Sequence, residues 1–307
     1  MALDIKGLHL RAALLQIIRK FFCTQGFLEV DTPIRQRVLL PENNILPLKS
    51  EGAFLQPSPE LCMKRLLAAG CAKIFQICHC FRARERGRLH LEEFLMLEWY
   101  RQGADYHQLM DDCQLLLRFI HAELTSLEER NGIFFDCFPG LDLFSSWQKI
   151  TVEDAFQRYS PVPLAEAIAT NCFEEILVET IEPNLGFTRP LFLCDYPLAL
   201  ASLARKKPEN SQFAERFELY LKGVELANGF TELTDEQEQR QRFTDELAAI
   251  QKSRGEQHEM PELFLTDLAA LDSATGIALG VDRLFMLATG IEDIQNAVPF
   301  SPEDLQP

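Results

Sequence analysis

Apolar residues recur at helical spacing from Leu8 to Gln25: Leu10, Leu14, Ile17, Ile18, Phe21 and Phe22 share one face, and Gly26 suits a C-terminal cap. GFLEVDTPI then turns from helix into strand, with Pro33 fixing the exit. Residues 39–57 hold Pro41, Pro47 and Pro57 and show no period, so they read as irregular. Helical spacing returns over residues 58–70, with Ser58 as N-cap and Pro59 in the first turn. IFQICHCFR and EFLMLEWYR read as strands on either side of a polar loop, and Ala104 to Arg130 as a long helix. Residues 150–180 are predicted helical behind a capping box of Thr151 and Asp154. RPLFLCDYP is a short strand ended by Pro197. ERFELYLKGVELANGFTEL is a hairpin turning at Lys222-Gly223. Thr234 with Gln237 then predicts the cap of a charged helix, and GIALGVDRLFML a strand entering a helix. Strands joined by hairpins point to an antiparallel sheet flanked by helices, an α+β fold.

The hairpin alternates most cleanly. A two-residue turn pairs Leu221 with Val224, Tyr220 with Glu225, Leu219 with Leu226 and Glu218 with Ala227. Glu218, Tyr220 and Glu225 then share one face, and four aliphatic residues share the other. Asn228, Phe230 and Glu232 continue at period two but out of phase with Glu225. A bulge near Ala227–Gly229 would bring all of them to one cavity. Two glutamates so placed suit a divalent cation such as Mg²⁺; a solvated acidic face accounts for the same alternation equally well.

Charge sharpens this picture. The 307 residues carry a formal net charge of −16, which argues against a general nucleic-acid binder. Yet FRARERGRLHLEEF places Arg82, Arg84, Arg86 and Arg88 on alternate positions, which calls for an anion. Nine cysteines include one C-x-C pair, Cys78 and Cys80, with no second pair to complete a zinc site; they read as reduced thiols of a cytoplasmic protein. No apolar run reaches the ~18 residues of a membrane span, and the N-terminus lacks a signal peptide's apolar region.

Three stretches resemble the signature motifs of class II aminoacyl-tRNA synthetases: GFLEVDTP, FRARERGRLHLEEF with the strand after it, and GIALGVDRLFML. SPELCMKRLL, MLEWY and FELYLKGVELANGFTEL are similar to the lysyl-specific subset. The first motif begins at Gly26 after a single helix, which leaves no room for the anticodon-binding OB domain of lysyl-tRNA synthetases. The chain is therefore similar to the free-standing paralogues of the elongation factor P lysyltransferase family. The resemblance implies one catalytic domain over residues 1–307, no anticodon recognition, a homodimer, and ATP with Mg²⁺. It also implies activation of (R)-β-lysine or lysine as an adenylate and transfer to a lysine side chain of elongation factor P. A tRNA or another acceptor, or a non-catalytic role, are the alternatives.

The resemblance also implies roles. Arg82 would hold the α-phosphate and Arg283 the γ-phosphate, with His90, Glu93, Phe94 and Glu218 completing the ATP site. Glu218 and Glu225 match the Mg²⁺ ligands. Glu60 would face the amine beside the reacting carboxylate. Glu98, Tyr100 and Glu232 would face the distal ammonium, and Asn228 and Phe230 would complete the pocket. Ala278 stands where lysyl-tRNA synthetases usually have glycine; its methyl favours (R)-β-lysine, by ~1–3 kcal/mol for such a change. The family's motif 2 carries Glu two residues after its arginine, where this chain has Arg84, followed by Glu85. Arg84, Arg86, Arg88, Arg205, Lys206 and Lys207 are the candidates for docking an acidic protein partner.

Overall fold

The computed structural model describes residues 2–131, 136–201 and 203–305. Helix α1 (Ile5–Thr24) starts three residues before the predicted boundary, because Asp4 caps it by accepting the Gly7 N–H. Strands β1 (Leu28–Glu29), β2 (Arg35–Gln36), β3 (Leu48–Ser50) and β4 (Ala53–Leu55) are short, as the prolines of this region demand. Helix α2 (Glu60–Ala68) follows, then β5 (Lys73–Phe81), β6 (Glu93–Gln102) and the long α3 (Tyr106–Asn131). β7 (Gln148–Thr151), α4 (Val152–Tyr159), α5 (Leu164–Ala169) and α6 (Phe173–Ile176) form the middle segment. β8 (Leu191–Pro197), β9 (Phe213–Leu221), β10 (Val224–Thr231), α7 (Glu236–Arg254), α8 (Glu262–Leu268), β11 (Ala274–Gly280) and α9 (Val281–Thr289) complete the chain.

Eight strands form one sheet in the order β1-β5-β6-β11-β10-β9-β8-β7; β2, β4 and β3 form a small second sheet. The large sheet is antiparallel except where β1 meets β5 and β7 meets β8. The α+β expectation holds, with parallel pairing confined to the two edges.

Alternation along the strands divides the faces. Phe75, Leu97, Trp99, Ile277, Leu279, Phe217 and Leu219 point to the face covered by α1, α3 and α9. Phe22 of α1 stacks on Phe75, centroids 4.8 Å apart, and lies 5.1 Å from Trp99. Truncating such a ring costs ~3–5 kcal/mol. On the other face, α2, α7 and α8 cover one end around Ile74, Tyr100 and Phe243, while α4–α6 cover the other around Leu193, Tyr196 and Tyr220. The strip between these two clusters carries the candidate site.

Two predicted caps move. Asp235, not Thr234, caps α7 by accepting the N–H groups of Gln237 and Glu238; the Thr234 hydroxyl bonds Asp272 O instead. Helix α2 begins at Glu60, and Ser58 accepts the Glu60 N–H from outside the helix. Thr151 caps α4 as predicted. The closest thiols, Cys78 and Cys80, lie 4.0 Å apart in the core. Among the described residues no helix is long and apolar enough to cross a membrane.

Candidate active site

The floor is built by strand register. Glu98 of β6 faces Ala278 of β11, which faces Asn228 of β10, which faces Glu218 of β9. The next row runs Tyr100, Gly276, Phe230, Arg216 across the same strands. Both rows hold only because the hairpin bulges. Lys222 and Gly223 make the turn at φ 52° and 74°, a conformation that glycine adopts without strain. Val224 and Glu225 pair with Leu221 and Tyr220 as predicted, but Leu226 is skipped, so Ala227 faces Leu219 and Asn228 faces Glu218. The bulge thus comes one residue before the predicted stretch, and it brings Asn228 and Phe230 onto the face of Glu218 and Glu225.

Above the floor lies a cavity of about 430 Å³, lined by Glu60, Arg82, His90, Phe94, Glu98, Tyr100, Glu225, Asn228, Phe230, Ala278 and Arg283 among others. This is the size range of small-molecule sites. Glu232 and Glu218 stand behind its wall, both buried. Glu93 does not reach it. It opens β6 on the opposite parity to Phe94, Met96 and Glu98 and is exposed.

At the amino-acid end, sequence reasoning missed Lys64. Its ammonium sits between Glu60, 2.5 Å away, and Glu232, with Phe230 beneath it at 5.2 Å. Burial opposes the charge on Lys64, but Glu232 and Glu60 outweigh it and hold its pKa above the ordinary value. The signal was present: Glu60 and Lys64 are four residues apart on one helix, and MKRLL places a lysine inside an apolar stripe. Among the described residues Glu98 has neutral partners only. Its oxygens accept from the Ser58 hydroxyl at 2.6 Å and the Tyr100 hydroxyl at 2.7 Å. Burial, then repulsion by Glu60, pushes the Glu98 carboxyl up to about 8. Gly276 lies against Tyr100 and Glu232, and a Cβ there would overlap the Tyr100 ring.

At the other end, the loop between β5 and β6 is a tight turn. Gly87 and His90 exchange backbone hydrogen bonds at 3.2 Å, and Arg88 is held by the carbonyl of Glu292. Asp282, buried at the head of α9, accepts from Arg11 and from the Leu95 amide, which fixes the next residue, Arg283. Arg283 donates to the carbonyls of Leu89 and Glu225 and to His90 Nε2 at 2.8 Å. Burial and then Arg283 lower the His90 pKa, so the ring is neutral at pH 7 and accepts that bond. Arg82 lies over Phe94, 5.3 Å from its centroid; among the described residues its buried Nε has no hydrogen-bond partner. An unpaired buried guanidinium N–H is a place for an anion.

The motif 2 departure resolves locally. Arg84 adopts φ 66° and its amide donates to Glu92, while the following residue, Glu85, lines the cavity 3.9 Å from Arg82. The other docking candidates are occupied within the chain. Arg86 pairs with Glu92, Arg205 with Glu215, Lys206 with Glu238 and Lys207 with Asp195.

Glu218 and Glu225, the expected metal ligands, differ in how far their oxygens are already engaged. Glu218 Oε1 accepts from Arg216 at 2.7 Å, and Oε2 from Tyr196 at 2.5 Å and Tyr220 at 2.7 Å. Glu225 meets Arg283 through Oε2 alone, at 3.3 Å. Glu174 and Glu182 add further carboxylates, and burial first, then in Glu182 the charge of Glu225, raises their pKa values. Among the described residues no three acidic, histidine or cysteine side chains are gathered closely enough to hold a metal ion by themselves, so Glu218 and Glu225 fit Mg²⁺ only as a pair that leaves its other positions to phosphate oxygens and water.

The comparisons agree with this geometry. The family model described as tRNA synthetases class II (D, K and N) matches residues 5–304. The chain is 38% identical over 311 residues to the elongation factor P--(R)-beta-lysine ligase of Histophilus somni (strain 2336), covering 97% of this chain and 95% of the relative. It is 37% identical over 314 residues to the ligase of the same name from Salmonella gallinarum, and 36% over 331 residues to that of Salmonella paratyphi B, with the same coverage. The chain belongs to the class II tRNA synthetase family of the D, K and N type.

Proposed function

We propose that this protein activates a lysine-like amino acid with ATP and passes the acyl group to a lysine side chain of elongation factor P. The observation that carries the reading is the pairing of the two ends of one cavity: buried carboxylates on the floor, and Arg82 with an unpartnered N–H beside Arg283. The names of the curated relatives support the acceptor.

In the first step the substrate carboxylate attacks the α-phosphorus of ATP and pyrophosphate leaves. Arg82 offers its fork to the α-phosphate, Arg283 and neutral His90 face the outer phosphates, and Phe94 offers a ring to adenine. Glu218 and Glu225 would hold Mg²⁺, which supplies positive charge to the polyphosphate when bound. Glu98, which no cation compensates among the described residues, would take the distal ammonium, and Glu60, which shares Lys64 with Glu232, would meet the amine beside the reacting carboxylate. Ala278 stands between Glu98 and Asn228, and its methyl narrows the floor in favour of (R)-β-lysine. The reading takes residues 1–307 as one cytoplasmic catalytic domain without anticodon contact. It pairs two copies along β1, where Leu28 is exposed, and the segment after it, where Ile34 is exposed.

The test is pyrophosphate exchange into ATP with (R)-β-lysine and with α-lysine. Exchange driven better by (R)-β-lysine supports the reading; no exchange with either indicates a non-catalytic paralogue. Acylation of tRNA in the same assay would replace the protein acceptor by a nucleic-acid one.

A further inference from the structure

The cavity opens beside the segment from Pro41 to Pro47, which belongs to no helix or strand and yet is pinned at both ends. Arg254, the last residue of α7, donates to the carbonyls of Ile45 at 3.0 Å, Glu42 at 3.2 Å and Asn43. Glu246, also on α7, accepts the Asn43 amide at 2.7 Å. At the far end, Ala83 N–H donates to Leu46 O, and Pro47 bridges to Arg82. This clamp presents the Glu42 carboxylate in the cavity wall, half-buried. Among the described residues its carboxylate has no hydrogen bond or ion pair.

Transfer to a lysine side chain poses a problem that the carboxylates already described do not solve. An ε-ammonium with a pKa of ~10.4 is almost wholly protonated at pH 7 and cannot attack a carbonyl. A base must take the proton. Glu60 is held by Lys64, Glu98 by Ser58 and Tyr100, Glu218 by Arg216 and two tyrosines, Glu225 by Arg283 and Glu85 by Arg82, while Glu174 stands at the Glu225 end of the cavity beside Arg216. Glu42 is unpaired, and it faces Glu60, the expected partner of the substrate amine, and Arg82, the expected partner of the α-phosphate. With those roles, the acyl carbonyl to be attacked would lie between those two groups.

We propose that Glu42 is the general base of the transfer step and takes a proton from the ε-ammonium of the acceptor lysine. The proposal rests on the function proposed above. One N–H proton passes to Glu42, and the neutral amine attacks the carbonyl carbon of the adenylate. The C–N bond forms as the C–O bond to phosphate breaks, and the electron pair leaves on AMP. The nitrogen sheds its second proton to water at the open mouth. The groups that face Glu42 are Glu60 and Lys64 from α2, Arg82 from beyond β5, and Glu246 from α7. Burial, then Glu60, push the Glu42 carboxyl up to about 7 against the pull of Arg82, and a base of that strength suits proton transfer near neutral pH.

The test uses the full chain with Glu42→Gln and Glu42→Asp, both checked by thermal unfolding. Three rates are compared: pyrophosphate exchange, acyl transfer from the preformed adenylate to elongation factor P, and release of the same adenylate by hydroxylamine, a nucleophile already neutral at pH 7. For Glu42→Gln, transfer at pH 7 falls at least ~100-fold, more than either other rate. It recovers about tenfold per pH unit as the acceptor approaches its own pKa. Glu42→Asp restores part of it. Transfer within threefold of the unsubstituted protein would overturn the proposal. So would an equal loss in all three rates with a raised KM for the amino acid, which would make Glu42 a substrate-binding group. If the unsubstituted protein exchanges pyrophosphate but never modifies the factor, the underlying reading fails, and the proposal with it.

Discussion

The two ends of the cavity treat charge differently. At the amino-acid end Lys64 closes onto Glu60 and Glu232, and Glu98 is capped by two hydroxyls. At the phosphate end Arg283 is held by Leu89, His90 and Glu225, but among the described residues Arg82 has a buried N–H without a hydrogen bond and only a 3.9 Å ion pair with Glu85, where the likewise unbonded Glu60 and Glu232 oxygens have the close charge of Lys64. The closed end is fixed by helix and strand geometry before any ligand arrives. The open end gains a partner only when an anion binds. Substitutions at the closed end should therefore disturb folding and binding together, and those at the open end should disturb the reaction alone.

The sharpest way to break this contrast is Arg82→Ala. Pyrophosphate exchange should fall ~100- to 1,000-fold, with the unfolding temperature within a few degrees of the unsubstituted protein. A large loss of stability would mean that Arg82 belongs to the closed set. Lys64→Met should behave in the opposite way. Two buried carboxylates lose their cation, at a cost of ~3–5 kcal/mol by denaturant unfolding. Unpaired carboxylates have folded pKa values above the unfolded ones, so the penalty grows as pH rises past the unfolded values and shrinks where they are protonated. The loss should be larger at pH 8 than at pH 5.

A gentler test titrates Glu98. Its carboxyl stands at about 8 in the free protein, and a bound ammonium favours the ionised form. Binding below pH 8 therefore releases a proton, and lysine affinity should rise with pH between 6 and 8, by at most tenfold per unit. Calorimetry in two buffers of different ionisation enthalpy reads the proton directly; no buffer dependence would show Glu98 already ionised. The smallest effect is expected at Arg84, whose backbone rather than side chain is used. Arg84→Glu should change exchange less than about twofold, within the range of surface substitutions.

What the sequence disclosed follows the same division. Glu98, Tyr100, Asn228, Phe230 and Ala278 sit on strands, where period two assigns each residue a face, and the structure brings them to one floor. The need for a bulge was legible from the phase slip between Glu225 and Asn228; its position at Leu226 was not, because pairing energy there depends on β9 and β11 together. Glu93 and Phe94 are neighbours in sequence but lie on opposite faces of β6, because one residue along a strand changes the face. Lys64 was overlooked because a lysine in a helix reads as exposed until its two partners, one of them 168 residues further along, are placed. Glu42 lies in a proline-marked segment with no period at all, and only the clamp from Arg254 gives it a position.

The central claim is that the two ends of this cavity serve one reaction with a protein acceptor. Its most direct measurement is the intact mass of elongation factor P after incubation with this protein, ATP and (R)-β-lysine. The account predicts a gain of one lysyl group on a single lysine, dependent on ATP and absent with Arg82→Ala. An unchanged mass under conditions where pyrophosphate exchange proceeds would contradict it.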